Sequence, residues 1–410
     1  MGAGVVVAGG GYGAGEFVAK LRQGGYAGAI TVIGDETHLP YHRPPLSKTF
    51  LAGETDAAAL LLRPAAFYEK NAITFRAGTR VTAIDRAGHA VTLSDGGSLP
   101  YEKLVLAVGG RARALPCPGG SLAGVHTLRG IDDVLAIRAE LGAGRRVVIV
   151  GAGYIGLEVA AVAIKHGLDV TVVEAAPRVL ARVAGVEISA FYEAAHRAAG
   201  VRLITGLTVG ELTASAADPA RVGGVVLSDG TSLPADWVLA GVGLIANTEL
   251  ASAAGLRVEN GIWVDEYCRT EDPDVLAIGD CANHPLAFAG RRVRLESVPN
   301  ALEQARVAAD TITRKMVPYA AVPWFWSDQY DLKLQAVGLA DGHDQVVLRG
   351  TLAARSFIAF YLRHGVLIAA DAVNKPGEFM VARRLVAAGV TPDAGKLADL
   401  AAPLKDLLPA

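Results

Sequence analysis

Cysteine is nearly absent. The chain has 3 in 410 residues, Cys117, Cys268 and Cys281, far apart and never spaced C-x-x-C. That excludes a disulfide framework and a cysteine-based zinc site, and it fits a reducing, cytoplasmic setting. No other metal-ligand pattern is read. Aromatic residues are few, at 6%. An excess of one charge is missing too: 39 Lys and Arg stand against 41 Asp and Glu, a formal net charge of −2. No field for nucleic acid or a membrane surface follows from that balance. The stretch nearest to a membrane span, 147–164, carries Glu158 and three glycines, so it reads as strand, turn and helix. The start, Met1-Gly2-Ala3-Gly4 running straight into Val5-Val6-Val7, has no basic segment or signal-type core. Val6 also stands where a myristoylation signal wants Ser or Thr.

What is present points to a large α/β protein. Half the residues are hydrophobic (51%) and 48 are glycine. The length predicts two or three domains, and the glycines suit tight strand-to-helix turns. One device occurs twice. Val5–Ala8 reads as a buried strand, Gly9-Gly10-Gly11-Tyr12-Gly13-Ala14 as a turn, and Glu16–Arg22 as a helix; Ala29–Ile33 is a second strand, ending near Asp35. Later, Arg146–Val150, Gly151-Ala152-Gly153-Tyr154-Ile155-Gly156, Leu157–His166 and Val170–Val173 repeat the order and end at Glu174.

Strand, glycine turn, helix, strand and acid together make a dinucleotide-binding unit. Gly151 permits the tight turn, Gly153 lets backbone N–H groups approach a pyrophosphate, and Gly156 allows the helix to pack close to the strand. In the first copy Gly9 and Gly11 take the first two roles, and Gly13 or Ala14 lines the helix start. The helix N-terminus then offers unpaired donors to the phosphates. Asp35 and Glu174 are the expected acceptors for two adenosine riboses. A carboxylate at Glu174, followed by Ala175 and Ala176, favours NADH over NADPH; Arg178 is the one nearby cation, and its ordinary role would be a salt bridge.

Further segments separate the two copies. Tyr101–Gly110 and Asp236–Gly243 each read as a strand crossing back under a dinucleotide domain, Gly243 closing the second. Asp274-Val275-Leu276-Ala277-Ile278-Gly279-Asp280 ends a strand on an acid that can bond the ribityl hydroxyls of a flavin, which marks the first copy as the FAD site. With these segments, Arg43-Pro44-Pro45-Leu46-Ser47-Lys48, Glu296–Asn300 and Pro323-Trp324-Phe325-Trp326-Ser327-Asp328-Gln329 resemble the FAD-dependent NADH:ferredoxin reductases of bacterial oxygenase systems, over nearly the whole chain.

The resemblance implies a glutathione-reductase-type fold. An FAD domain (1–112 and 246–320) is interrupted by an NAD domain (113–245), each Rossmann-like, and an α+β domain (321–410) follows. It implies FAD contacts at Gly13, Asp35, Arg43, Lys48, Val81, Arg129, Asp280 and Val298. Ile155, within the second glycine turn, joins the NAD contacts. Lys48 is expected beside the flavin nitrogen that receives hydride, and Glu158 near both Lys48 and the nicotinamide, forming an ion pair that holds the lysine in place. Gly13 departs from the pattern, since relatives often carry alanine there.

Disulfide reductases of this fold need a cysteine pair beside the flavin, and no cysteine precedes Cys117. Cys281 is a lone thiol, read as buried filler. The electrons therefore leave another way, and a flavin can take a pair and release single electrons. Trp326 is the expected exit-side residue, with Trp324 a core aromatic. Arg306 and Lys405 match partner-contacting positions for a transiently bound 2Fe–2S ferredoxin; Arg291, Arg292 and Arg294 read as a solvated hairpin. A monomer or weak dimer is expected. The rival expectations are another acceptor (rubredoxin, a quinone) and a redox sensor of apoptosis-inducing-factor type. Asp95-Gly96 and Asp229-Gly230 read as hairpin turns.

Overall fold

The computed structural model describes residues 3–409. Two compact units emerge. One runs to Arg43 and takes in Ala58–Arg111 and Ile245–Pro323; the other holds Pro44–Ala57, Ala112–Leu244 and the chain from Trp324 onward.

In the first unit β1 (Gly4–Ala8) leads into α1 (Tyr12–Gln23) and β2 (Ile30–Ile33); β3 (Ile73–Arg76), β4 (Val81–Asp85), β5 (Ala90–Leu93) and β6 (Ser98–Leu106) follow. The sheet order is β3-β2-β1-β6-β5-β4. It is parallel from β3 to β6 and antiparallel through β5 and β4. Every residue of β1 is buried, as a valine run covered on both faces must be. The turn at Asp95-Gly96 closes the β5–β6 hairpin, with Gly96 at φ +84°.

The second unit carries the repeat. β7 (Val125–His126) precedes β8 (Arg146–Val150), α2 (Tyr154–Lys165), β9 (Asp169–Glu174), α3 (Val186–Ala198), β10 (Arg202–Thr205) and β11 (Trp237–Ala240). These strands form one parallel sheet in the order β10-β9-β8-β11-β7. Asp229-Gly230 turns the hairpin between strands 222–227 and 232–234.

The chain then returns to the first unit. There β12 (Val275–Ala277) pairs in parallel with β6, and α4 (Val298–Ile312) packs against α1. The last segment rejoins the second unit as β13 (Trp324–Gln329), β14 (Leu332–Gly338), β15 (Gln345–Thr351), β16 (Ser356–Arg363) and β17 (Val366–Val373), an antiparallel sheet in the order β13-β14-β17-β16-β15. α5 (Pro376–Ala387) packs on β14 and β17.

The sequence separates 113–245 from 321–410. By contacts both fall in one unit, because α2 packs against β9 and also against β13. The segment Pro44–Ala57 joins them through the turn Pro44–Ser47, which packs on α2. Among the described residues no helix is long and apolar enough to cross a membrane.

Candidate active site

The first glycine turn is built by contact with its own sheet. Gly9 sits at φ +110°, and a Cβ there would lie 2.3 Å from the Ala107 carbonyl oxygen, so only glycine fits. Gly11 is the N-cap of α1, with no side chain capping the helix and no acid in its first turn. Its orphan N–H groups are left to a ligand. A Cβ on Gly13 would meet Ala301 and Ile278 at 3.8 Å, ordinary contact, so the alanine of its relatives would fit. Ala14 beside it is buried.

Asp35 is exposed and pairs with Arg80 at 3.2 Å. Its neighbour Glu36 turns inward, accepting from the Tyr41 hydroxyl and from Arg43. Burial pulls the Arg43 guanidinium down, but Tyr41 and Glu36 outweigh it, and the group is held above its usual range. Val81 opens β4 and is buried. Asp280 lies in a 3₁₀ turn whose Gly279 stands at φ +80°. Gln304 accepts the Gly279 N–H at 2.6 Å, and Arg294 donates to the Asp280 carbonyl at 3.0 Å. Val298 begins α4, capped by Ser297.

The second turn separates the three glycine roles. Gly151 is at φ +104°, with a Cβ position 2.4 Å from the Gly241 oxygen. Gly153 has nothing within 4 Å of its Cβ position, an open cradle at an uncapped helix start. Gly156 has the Gly151 oxygen at 2.1 Å. Ile155 is half-exposed at the mouth. Glu174 accepts from the backbone N–H groups of Ala152 and Ala176, at 2.7 and 2.8 Å. Each carboxylate oxygen keeps a second lone pair for a ribose hydroxyl.

Among the described residues Arg178 makes no salt bridge; it donates to the carbonyls of Ala181 and Ala184 and to Ser189, away from Glu174. Gly243 is at φ +103°, and the exposed Arg182 reaches to within 3.7 Å of its Cβ position, a cation at the cradle that sequence reasoning passed over. Its one signal is its place eight residues after the end of β9.

The Lys48–Glu158 ion pair lies wholly within the second unit. Lys48 Nζ is 2.6 Å from Glu158 Oε2, and the Glu158 side chain is only 4% exposed. Ser47 donates to the same oxygen, and Ser327 donates to Oε1 at 2.6 Å. Arg129 precedes a helix start where its N–H and that of Gly130 donate to Asp133. Strand alternation in β13 sends Ser327 and Phe325 toward α2, where Phe325 stacks on Tyr154 with centroids 4.5 Å apart. Trp324 and Trp326 stack on each other instead, at 5.5 Å, with Arg383 over Trp324. Trp324 is thus half-buried rather than a core aromatic.

Arg306 is held by Glu303 and Asp310, at 2.7 and 2.8 Å, so its charge is already matched. Lys405 is exposed in a 3₁₀ turn. The arginine hairpin forms, but it is not simply solvated. Arg292 lies over the Trp263 ring and donates to two carbonyls, and Arg294 pairs with Glu296. Arg292 and Arg294 are spent on ring, carbonyl and carboxylate partners, which the run of arginines in sequence could not show. All three cysteines are free; burial pushes the Cys281 thiol up to about 12, leaving it inert.

Residues 3–305 match the pyridine nucleotide-disulphide oxidoreductase family and 324–408 the reductase C-terminal domain. The chain belongs to this family. It is 46% identical to putidaredoxin reductase of Pseudomonas putida over 99% of this chain and 97% of that protein. It is 48% identical to the 5,5'-dehydrodivanillate O-demethylase ferredoxin reductase subunit of a Sphingobium species, over 98% and 97%. The crystal structure of a covalent putidaredoxin reductase–putidaredoxin complex superposes with a TM-score of 0.96 at 45% identity, covering 99% of this chain and 98% of that one.

Membership of the pyridine nucleotide-disulphide oxidoreductases makes the chain an oxidoreductase, and the cofactors implied are FAD and NAD(P)H. The residues fit both. Each cradle has a glycine at positive φ, an uncapped helix N-terminus and an acid at the end of the next strand. The disulphide of the family's name has no counterpart at the Pro44–Lys48 turn, where Ser47 and Lys48 stand and every cysteine lies beyond residue 116.

Proposed function

We propose that the chain is an NADH-dependent ferredoxin reductase. It takes hydride from NADH onto FAD and passes electrons one at a time to a 2Fe–2S ferredoxin that serves an oxygenase, in the cytoplasm. One NADH and two oxidised ferredoxins give NAD⁺, two reduced ferredoxins and one proton. The observation that carries the reading is the ion pair between Lys48, at a turn without a thiol, and the buried Glu158 of α2. The turn brings Lys48 to Glu158, a charged pair that suits hydride transfer, but it has no disulfide to take the electrons onward. The ferredoxin and oxygenase assignment rests on the likeness to proteins with those names.

FAD supplies the conversion between a two-electron donor and one-electron acceptors. The chain's own residues do the rest. The uncapped starts of α1 and α2 bind pyrophosphate. Glu174 selects a free 2′-hydroxyl, and Arg178, spent on the carbonyls of Ala181 and Ala184, is turned away from a 2′-phosphate. Glu158, fixed by three donors, holds the Lys48 ammonium in one place, where its charge favours build-up of negative charge on the acceptor. Trp326 and Lys405 are assigned to the ferredoxin side, and Arg306 to its rim.

Stopped-flow absorbance tests this. Rapid bleaching by NADH followed by rapid reoxidation with a 2Fe–2S ferredoxin is expected. Bleaching without any response to ferredoxin would move the acceptor to rubredoxin or a quinone, or the protein to a redox sensor.

A further inference from the structure

Behind Glu158 the second unit contains a line of polar side chains that the hydride step does not itself require. Ser327 donates to Glu158 Oε1 at 2.6 Å, Gln329 Nε2 donates to Ser327 Oγ at 3.1 Å, Gln329 Oε1 lies 2.8 Å from His196 Nε2, and His196 Nδ1 lies 2.9 Å from the Tyr330 hydroxyl. Ser327, Gln329 and His196 are at most 1% exposed, whereas Tyr330 is 39% exposed. Buried polar groups need partners, and here each has one on both sides.

Only one order of donors satisfies the line. A carboxylate paired with Lys48 can only accept, so the Ser327 proton points to Glu158. The Ser327 oxygen then needs a donor, which fixes the Gln329 amide with its nitrogen toward Ser327. The reverse amide orientation would set two acceptors face to face. Gln329 Oε1 therefore accepts from His196, which must carry its proton on Nε2. Burial lowers the affinity of His196 for a second proton, so its Nδ1 is an acceptor and Tyr330 donates. Four successive donors point at one carboxylate, and each locks the rotation of the next.

We propose that Ser327, Gln329 and His196 are positioning residues that hold the Glu158 carboxylate against Lys48, through a directional hydrogen-bond chain anchored at the surface by Tyr330. The inference rests on the reading of Glu158–Lys48 as the hydride-step pair. The alternation of β13 makes it possible: Ser327 and Gln329 share a face, and α3 brings His196 to that face.

The test uses FAD-loaded protein. Nitrogen-15 NMR of ring-labelled histidine is expected to show His196 as the Nε2–H tautomer at pH 7, and Tyr330→Phe, at the exposed end, is expected to shift the Nδ1 signal. Ser327→Ala is expected to slow bleaching by NADH about tenfold, with NADH affinity changed less than about twofold, and Ser327→Thr to restore the rate. An Nδ1–H tautomer in the unaltered protein, or a Ser327→Ala rate equal to it, overturns the proposal. If Ser327→Ala does not fold, Gln329→Leu takes its place with the same expected slowing, and an unchanged rate there overturns the proposal as well. If Glu158→Gln bleaches at the unaltered rate while the His196 tautomer stands as expected, the functional reading has failed and the hydrogen-bond chain has not.

Discussion

The two glycine cradles share one sequence device and differ in what holds it. In the second, the acid at the strand end is tied back to its own turn, since Glu174 accepts from Ala152 and Ala176. In the first, Asp35 faces solvent and Arg80 while Glu36 takes the inward bonds. The helix glycine differs as well. Gly156 sits against backbone, whereas Gly13 has room to spare. A fingerprint thus specifies a ligand's backbone cradle, but each glycine is required for its own local reason. The units differ further in their buried titrating groups. His284 in the first is pushed down to about 4 by burial and by Arg292. Asp371 in the second is pushed up to about 7, chiefly by burial, although Tyr361 donates to it.

The largest expected effect comes from that last difference. Between pH 6.5 and about 4 the unfolded chain protonates His284 and the folded chain does not, so stability is lost as pH falls. Asp371 acts with the opposite sign. Between 3.8 and about 7 the folded chain keeps a proton that the unfolded chain has released, so stability is lost as pH rises. Each contribution is on the order of 3 kcal/mol. Thermal midpoints of His284→Asn should fall as pH rises from 4 to 7, and those of Asp371→Asn should climb. Parallel curves for the two variants would contradict the assignment.

Gly156→Ala should come next. With backbone oxygen 2.1 Å from the new methyl, it should cost about 2–3 kcal/mol and abolish NADH bleaching while leaving bound FAD in place. Normal bleaching would mean the helix can shift. Glu174→Ala combined with Ala175→Arg should then weaken NADH about tenfold and move the preference toward NADPH. An unchanged ratio of kcat/KM values for the two cofactors would remove Glu174 from the ribose. Gly13→Ala is the smallest: FAD content should hold, with a gain of about 0.5 kcal/mol from helix propensity. A loss of flavin would show that the first cradle is as tight as the second.

Both glycine turns, the hairpins at Asp95-Gly96 and Asp229-Gly230 and the lack of a thiol beside Lys48 were legible in the residues. Each of these is a local matter of turn chemistry, apolar periodicity or composition. Where Arg178 and Arg306 spend their charge was not legible, since a guanidinium chooses among carbonyls and acids that only folding brings near. Nor was the fate of the arginine hairpin, which lies over Trp263. Ser327 and Gln329 stood in a recognised motif, yet nothing local tied them to His196, more than 130 positions earlier. The sequence by itself determined which nucleotide cradles exist and which chemistry is missing, because φ angles, strand periodicity and cysteine count are properties of short segments. The tertiary structure alone decided that Glu158, Ser327, Gln329 and His196 form one buried polar line that ends on Lys48. Burial leaves a polar group only the partners that packing brings within about 3 Å, and sequence distance has no say in that.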